Sequence, residues 1–212
     1  MILLASLFFL TGCGQTISEE GRPDTSAITE GTKTLTEVKA AEGYQISQEA
    51  TNYIDILMDS GNHLVIELNP ESAPLTVANF QTLVGRSFYD GLIFHRIIEG
   101  FMIQGGDPDG TGRGGSRETI KGEFLSNGVD NRLSHIRGVV SMARTPHPNS
   151  ASSQFFICHG DSLFLDGDYA AFGRVIQGME EVDRLALLET GAADFPLTPP
   201  VMERVFFVSP LA

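Results

Sequence analysis

The chain has 212 residues, 42% of them hydrophobic, which is enough to bury a substantial core in one domain. Its formal net charge is -13, and no cluster of Lys and Arg interrupts the acidic balance. Because a nucleic-acid partner requires a basic surface that neutralises phosphates, the composition excludes nucleic-acid binding and disfavours binding to an anionic membrane surface.

The N-terminus has the pattern of an export signal. Residues 2–10 are apolar except for Ser6, a stretch too short to span a bilayer as a helix. The sequence LTGC that ends at Cys13 resembles the bacterial lipoprotein box, in which the cysteine is lipidated and becomes the mature N-terminus. Residues 1–12 contain no Lys or Arg, so a start upstream of Met1 would have to supply the charged part of the signal. We predict a signal peptide over residues 1–12 and an exported protein anchored to the bacterial cell membrane by Cys13; a buried N-terminal strand is the alternative.

The segment after Cys13 predicts a flexible tether. Residues 13–50 are polar, rich in Thr, Ser, Glu and Gly, and show no sustained period of 2 or 3.6 residues. Such a segment has too few large apolar side chains to fold by itself. It would hold a folded domain, predicted over residues 51–212, away from the anchor; a flexible end without function is the alternative.

A hairpin and a helix open the predicted domain. Residues 53–58 and 63–68 are strand-like and flank the turn sequence DSGN, which predicts a β-hairpin. Pro74 suits the first turn of a helix, and Gly85 supplies its end. Between them, Val77, Phe80 and Val84 recur at helical spacing.

Further strands and one more helix follow. Residues 137–143, 170–176 and 201–208 predict strands, and Met179, Val182 and Leu185 mark a second amphipathic helix. Gly110, Gly112 and Gly115 match the spacing of a dinucleotide-binding fingerprint, but that motif must end a strand and open a helix, and residues 116–122 open no convincing apolar helix, so we predict a loop. Many short strands with two helices indicate a mostly β protein, a barrel with helices at its ends.

Two stretches carry the candidate chemistry. Residues 94–107 read FHRIIEGFMIQGGD, and residues 141–157 read SMARTPHPNSASSQFFI. Both place a few polar side chains among aromatic residues and methionine, which is typical of a site for a small apolar ligand that also carries amide groups. Neither contains a strong nucleophile–base pair or a metal-ligand cluster, so binding itself has to drive the chemistry.

Both stretches resemble the signature segments of the cyclophilins, the peptidyl-prolyl cis-trans isomerases, in their bacterial form. The resemblance extends over residues 53–208. It implies a closed eight-stranded antiparallel barrel capped by two α-helices, isomerisation of Xaa-Pro bonds, and no cofactor or metal; together with the export signal, it predicts action on exported proteins during their folding. The partners would be proline-containing polypeptides, with the membrane reached only through the lipid anchor and the protein a monomer.

The resemblance also assigns the site. Arg96 matches the catalytic arginine, and Gln104 matches a position that orients it or binds substrate amides. The matching substrate-binding positions are Phe101, Met102, Ala143, Arg144, Gln154, Phe156, Phe164, Leu165 and Tyr169. The alternative for Arg96 is a purely structural role, in which it ties down a loop through Gln104.

Several neighbouring residues are predicted to be structural. Phe94 and Phe155 are expected in the core, and His95 is expected on the face of its strand opposite to Arg96. His135 is also expected to be structural. Cys158 follows a buried run and is expected to be a free thiol in the wall of the barrel.

Three positions depart from the better-known eukaryotic pattern. Phe164 stands in place of a tryptophan, Tyr169 in place of a histidine and Arg144 in place of an asparagine. Cyclophilins as a family bind the cyclic peptide cyclosporin in the substrate groove, so these changes concern ligand preference more than catalysis.

A non-catalytic module or chaperone that binds proline peptides in the same groove is the main alternative to an enzyme. A serine or metal hydrolase would need a base beside a nucleophile, for which the sequence shows no motif.

Overall fold

A computed structural model describes residues 38–211, of which residues 39–211 form one compact unit. The predicted signal peptide, Cys13 and most of the predicted tether lie outside the described residues. No helix in the described part of the chain is long and apolar enough to cross a bilayer.

The described residues form nine strands in one antiparallel sheet and two α-helices. The strands are β1 Tyr44–Ile46, β2 Tyr53–Met58, β3 His63–Leu68, β4 Phe94–Ile98, β5 Met102–Gly105, β6 Val139–Met142, β7 Phe155–Cys158, β8 Ala171–Gln177 and β9 Met202–Pro210, and the helices are α1 Pro74–Gly85 and α2 Met179–Ala186. The order across the sheet is β1-β9-β2-β3-β8-β6-β7-β5-β4. The prediction of a mostly β protein with two helices is therefore confirmed.

The predicted hairpin and first helix form as the sequence indicates. Gly61 adopts a φ of +83° in the turn between β2 and β3, a conformation that favours glycine. Helix α1 begins at Pro74, where the missing N–H costs no helical hydrogen bond, and ends at Gly85. Its buried side chains include Val77 and Phe80, which pack in the main core.

The main core lies on one face of the sheet, and both helices contribute to it. Ile97, Ile103, Ile157 and Val140 pair in register across β4, β5, β7 and β6, and all four belong to this core. Phe94 and Phe155 are also fully buried there, as predicted. Because side chains alternate along a strand, the residues next to this row point to the opposite face.

The predicted closed eight-stranded barrel is wrong in two respects. The sheet has nine strands, and no ladder of hydrogen bonds joins its two outer strands, β1 and β4, in the described part of the chain. Residues 91–94 meet residues 200–202, at the start of β9, through one isolated bridge, Ile93 to Val201, and three backbone hydrogen bonds, one of them from the Phe94 N–H to the Pro200 carbonyl. Pro200 accepts this hydrogen bond but has no N–H to donate in return, and Pro199 also lacks one, so the pairing does not continue as a ladder.

The extra strand is β1, which lies within the segment that we predicted as a tether, 13–50. β1 pairs with the C-terminal end of β9. Ala41 is buried in a small cluster with Val65 and Val208, and its N–H donates to Asp55 at 2.7 Å. The folded unit therefore begins at Lys39 rather than at residue 51. The sequence gives only a weak signal for strand β1, because the strand is three residues long and mostly exposed.

Candidate active site

Arg96 is directed away from the main core by a β-bulge. The pairing of β4 with β5 slips between Phe94 and Arg96. Without that slip, two residues separated by one position would lie on the same face. The bulge therefore places Phe94 in the core and Arg96 on the opposite face, where its side chain is 40% exposed.

A row of four residues in register crosses that opposite face. Arg96 pairs with Gln104, Gln104 with Phe156, and Phe156 with Ser141, across β4, β5, β7 and β6. The strands thus hold a cation, an amide and an aromatic ring side by side. The two residues that the resemblance assigns to catalysis, Arg96 and Gln104, are direct neighbours.

The apolar residues of the site form a cluster of their own, separate from the main core. It contains Met102, Phe156 and Leu165, which are buried, and Phe101, Ala143 and Tyr169, which are partly buried. These are six of the nine predicted substrate-binding residues. Phe164 lies beside the cluster, with its ring centroid 5.4 Å from that of Phe101, and is 73% exposed.

Gln104 and Gln154 are joined by a directed chain of hydrogen bonds. The Gln104 Nε2 donates to Gln154 Oε1 at 2.8 Å, and the Gln154 Nε2 donates to the carbonyl of Gly114 at 2.8 Å. With Ala143 and Arg144, they line a cleft of about 440 Å³ next to the apolar cluster. No hydrogen bond between Gln104 and Arg96 is found among the described residues, so the structure does not support the prediction that Gln104 orients the arginine; Gln104 is itself oriented by Gln154.

The side chain of Arg144 is held in place by neighbouring residues rather than free to bind a ligand. Its guanidinium carbon lies 4.6 Å from the ring centroid of Tyr169 and 5.0 Å from that of Phe124. The Nε and one terminal nitrogen donate to the carbonyl of Asp168 at 3.0 and 2.9 Å. Two of the three departures from the eukaryotic pattern, Arg144 and Tyr169, therefore interact with each other. Arg144 lines the cleft, and Tyr169 packs against the apolar cluster beside it.

The glycine-rich loop of residues 107–115 forms the facing wall. The Asp107 carboxylate is 1% exposed and accepts backbone N–H groups from Asp109, Thr111 and Gly114 at 2.8, 3.0 and 3.1 Å. A Cβ atom on Gly114 would collide with this carboxylate. The glycines thus let the loop wrap around Asp107, and the prediction of a loop is confirmed.

His95 and His135 are both buried, as expected, but the bulge between Phe94 and Arg96 removes the alternation on which the predicted face of His95 rested, and its Nε2 lies next to Gly112 of the loop that lines the cleft. Neither ring nitrogen of His95 has a hydrogen-bond partner among the described residues, and burial lowers its pKa. The ring of His135 stacks against Phe156, with centroids 6.1 Å apart and an angle of 20° between the planes. His135 therefore supports the floor of the apolar cluster from beneath.

Sequence reasoning missed an arrangement of Ser141, His135 and Asp166. The Ser141 Oγ lies 2.9 Å from His135 Nε2, and the His135 Nδ1 lies 2.8 Å from an Asp166 carboxylate oxygen. This order resembles a hydrolytic triad, but Ser141 and His135 are fully buried, so no substrate carbonyl can reach the hydroxyl. Burial lowers the pKa of His135 despite the neighbouring carboxylate. We assign these residues to support of Phe156, and no motif in the sequence would have revealed them.

Asp194 is a second residue that sequence reasoning missed. Its Oδ2 accepts a hydrogen bond from the Arg96 Nε at 3.2 Å. It belongs to a short 3-10 helix, Ala192–Asp194, far along the chain from Arg96. Only the folded sheet brings the two residues together.

Comparison with known proteins identifies the family. The family described as cyclophilin type peptidyl-prolyl cis-trans isomerase/CLD matches residues 53–206. The chain belongs to the cyclophilins. It is a peptidyl-prolyl cis-trans isomerase of the cyclophilin type, as predicted.

Fungal relatives of this cyclophilin carry isomerase names. A peptidyl-prolyl cis-trans isomerase-like 1 from Gibberella zeae is 46% identical over 143 residues, which cover 67% of this chain and 86% of the relative. The peptidyl-prolyl cis-trans isomerase ppi1 from Schizosaccharomyces pombe is 44% identical over 144 residues, 68% of this chain and 91% of the relative.

Solved cyclophilin structures share the fold. A cyclophilin type peptidyl-prolyl cis-trans isomerase from Cryptosporidium parvum, crystallised in the presence of the dipeptide Ala-Pro, superposes with a TM-score of 0.67 and is 32% identical. That match covers 74% of this chain and 99% of the other chain. A cyclophilin from Hirschia baltica gives a TM-score of 0.64 at 29% identity, over 80% of this chain and 78% of the other.

Proposed function

We propose that this cyclophilin isomerises Xaa-Pro bonds by donating a hydrogen bond from Arg96 to the proline nitrogen of the twisted amide. The bond resists rotation because the nitrogen lone pair is conjugated with the carbonyl, with a barrier of about 18–20 kcal/mol. Twisting localises the lone pair, so the nitrogen accepts a hydrogen bond only near the transition state. A fixed cationic donor therefore stabilises the transition state more than the ground state.

One observation carries this proposal: a half-exposed guanidinium lies in register beside an apolar cluster. Arg96 is 40% exposed, and Ile98, two residues further along β4, packs against the cluster that contains Met102 and Phe156. A proline ring seated on that cluster would bring its nitrogen toward Arg96. Gln104 and Gln154 would bind the flanking amides of the peptide, and Ala143 would contact its backbone.

Arg96 cannot supply the whole effect. A rate increase of about 10⁵ requires roughly 7 kcal/mol, whereas a hydrogen bond to a charged group contributes about 1.5–3 kcal/mol net. The remainder is assigned to removal of water from the bond and to contact of the proline ring with Phe101, Met102, Phe156 and Leu165.

The test is an isomerisation assay on the full chain and on Arg96→Ala. Exchange of an Xaa-Pro peptide, followed by NMR without a coupling protease, should slow by roughly 10- to 150-fold in the variant. Arg174→Ala is a matched control, because Arg174 forms an exposed ion pair with Glu67 across β3 and β8. Full activity in a folded Arg96→Ala protein would contradict the proposed role.

The same assay addresses a non-catalytic module or chaperone that uses the same groove. Such a protein would bind a proline peptide without accelerating exchange. Peptide binding measured by chemical-shift changes, with exchange rates equal to those of the free peptide, would favour that alternative.

We also propose that this cyclophilin is a bacterial, exported lipoprotein that acts on exported polypeptides. The support is the apolar run of residues 2–10 and the LTGC sequence that ends at Cys13. The family match begins at residue 53, so these residues are the sole basis of the proposal. Two acyl chains anchor a protein firmly, whereas one does so only marginally. A monomer is the expected state of the anchored protein.

Expression in a bacterium tests the location. When the chain is produced from a start with a charged n-region, it should partition with membranes, and mass spectrometry should find acyl chains on Cys13. Cys13→Ser should be found in the soluble fraction. Equal partitioning of the two forms between membrane and soluble fractions would contradict the proposed lipid anchor on Cys13.

A further inference from the structure

The turn that carries Asp194 has an uncommon backbone. Ala193 and Asp194 adopt φ values of 60° and 59°, in the left-handed region that non-glycine residues rarely occupy. The Gly191 N–H donates to the Phe195 carbonyl at 2.8 Å, and Thr190 pairs with Pro196, so the turn is closed at its base. Left-handed residues cost stability and are concentrated at functional sites, which makes this turn a candidate.

The one side-chain hydrogen bond found for this turn is directed at Arg96. The Asp194 Oδ2 accepts from the Arg96 Nε at 3.2 Å, and the two side chains are 44% and 40% exposed. A guanidinium is planar, so a bond at Nε fixes the orientation of the plane. The terminal amino groups are then left to face a ligand on the apolar cluster.

We infer that Asp194 is a positioning residue for isomerisation, which holds the Arg96 guanidinium in the orientation that meets the proline nitrogen. This inference rests on the role proposed above for Arg96. Asp194 does not touch the reacting atoms. Its effect should be on the rate of the chemical step rather than on substrate affinity, because a long, half-exposed arginine side chain otherwise samples many rotamers.

Asp194 also has an electrostatic effect that opposes its positioning role. The carboxylate partly cancels the positive charge of Arg96, and its removal would strengthen the attraction of the guanidinium for the proline nitrogen. Because both side chains are partly exposed, water screens the effect of the Asp194 charge on a bound substrate. The orientation of the donor decides the outcome, because a hydrogen bond weakens steeply as its angle departs from linear.

Asp194→Gly is the discriminating variant, since glycine accepts the left-handed backbone and removes the carboxylate. We expect kcat/KM to fall about 2- to 5-fold, mainly through kcat, which is the range for an exposed ion pair. Asp194→Asn keeps a hydrogen-bond acceptor and should retain most of the activity. Ala193→Gly is the matched control, because it relieves the same backbone strain and should leave kcat/KM unchanged.

Unfolding measurements distinguish a positioning role of Asp194 from a purely structural one. Both glycine variants should unfold at an equal or higher denaturant concentration than the wild type, whereas only Asp194→Gly should lose activity. An equal loss of activity in Ala193→Gly would assign the effect to the turn backbone and overturn the inference. Unchanged or increased kcat/KM in Asp194→Gly would also overturn it.

A double-mutant cycle distinguishes this inference from the proposed role of Arg96. In an Arg96→Lys background, which lacks the Nε donor, Asp194→Gly should have no further effect on kcat/KM. The same fold loss in both backgrounds would show that Asp194 acts by another route. Full activity of Arg96→Lys and Arg96→Ala would instead contradict the role of Arg96 itself.

Discussion

At the scale of single residues, Phe164 is the exposed aromatic edge of the apolar cluster. Its ring packs on Phe101 with a centroid distance of 5.4 Å, and most of its surface is exposed. Where a tryptophan occupies this position, the indole N–H can donate a hydrogen bond to a ligand carbonyl. Phenylalanine offers the apolar contact without the donor.

We expect weak inhibition by cyclosporin together with ordinary isomerase activity, and tighter inhibition of Phe164→Trp. Loss of the donor should cost about 0.5–1.5 kcal/mol, up to ~3 if the ligand carbonyl is left without any hydrogen-bond partner, which corresponds to about 2- to 150-fold in affinity. Titration of both forms with cyclosporin in one isomerase assay measures the difference. Equal inhibition constants would show that another residue, such as the Arg144–Tyr169 pair, determines the affinity.

The sequence predicted side chains that lie on the sheet better than side chains held by loops. Met102, Gln104 and Phe156 lie on one face of the sheet, because strand alternation and the register of β5 with β7 determine the face. The bond from Arg96 to Asp194 joins residues 98 positions apart and depends on a left-handed turn that has no glycine at its key positions. No local pattern encodes such a contact, so it could not have been predicted.

At the scale of elements, the loop of residues 107–115 depends on the buried carboxylate of Asp107. One of its oxygens accepts the N–H of Asp109, and the other accepts those of Thr111 and Gly114. These backbone hydrogen bonds outweigh burial and lower the pKa of Asp107. Gly114 in turn holds Gln154, so the loop determines where the amide groups of the cleft lie.

Asp107→Asn should destabilise the protein and widen the cleft. An amide NH₂ would face backbone N–H groups where a carboxylate oxygen now accepts them, at a cost of about 1–3 kcal/mol. Urea unfolding should show this loss, and KM for an Xaa-Pro peptide should rise. Asp109→Asn, an exposed change in the same loop, serves as control and should leave both quantities near those of the wild type. A variant as stable as the wild type would mean that the loop is held by other contacts.

The strands and helices were predicted more accurately than the closure of the sheet. Hydrophobic alternation and helix end signals located β2, β3 and α1. Closure of the sheet through β4 and β9 would need a continuous ladder between them, but two prolines before Val201 offer no N–H there, and the two segments meet through one isolated bridge and a few backbone hydrogen bonds. Strand β1 was missed because a three-residue exposed strand has no period that can be read from sequence.

At the scale of the whole molecule, the folded unit needs the segment before residue 51. Asp55 is fully buried, and burial raises its pKa, while the Ala41 N–H and His63 act in the opposite direction. Residues 39–50 thus supply one of the two partners that stabilise this carboxylate, and they cover Val65 and Val208.

A chain that begins at residue 51 should therefore be less stable than one that begins at Lys39. Loss of the Ala41 N–H alone should cost about 1–3 kcal/mol, and exposure of Val65 and Val208 adds to it. Denaturant unfolding of the two truncated chains measures the difference. Under conditions where both are folded, kcat/KM should be equal, since β1 pairs with the end of β9 opposite to the one that meets Arg96's strand. Equal stability would place residues 39–50 outside the folding unit.

The buried thiol of Cys158 has a practical consequence for spectroscopy. Burial, with help from nearby carboxylates, raises its pKa to about 12, so the reactive thiolate is absent at neutral pH. The sequence contains one other cysteine, Cys13. In a Cys13→Ser chain, a cysteine introduced at exposed Leu163 should therefore be the single site of maleimide coupling under native conditions. A fluorophore or spin label attached there would sit beside the groove and report peptide docking, with the native Cys158 left unmodified.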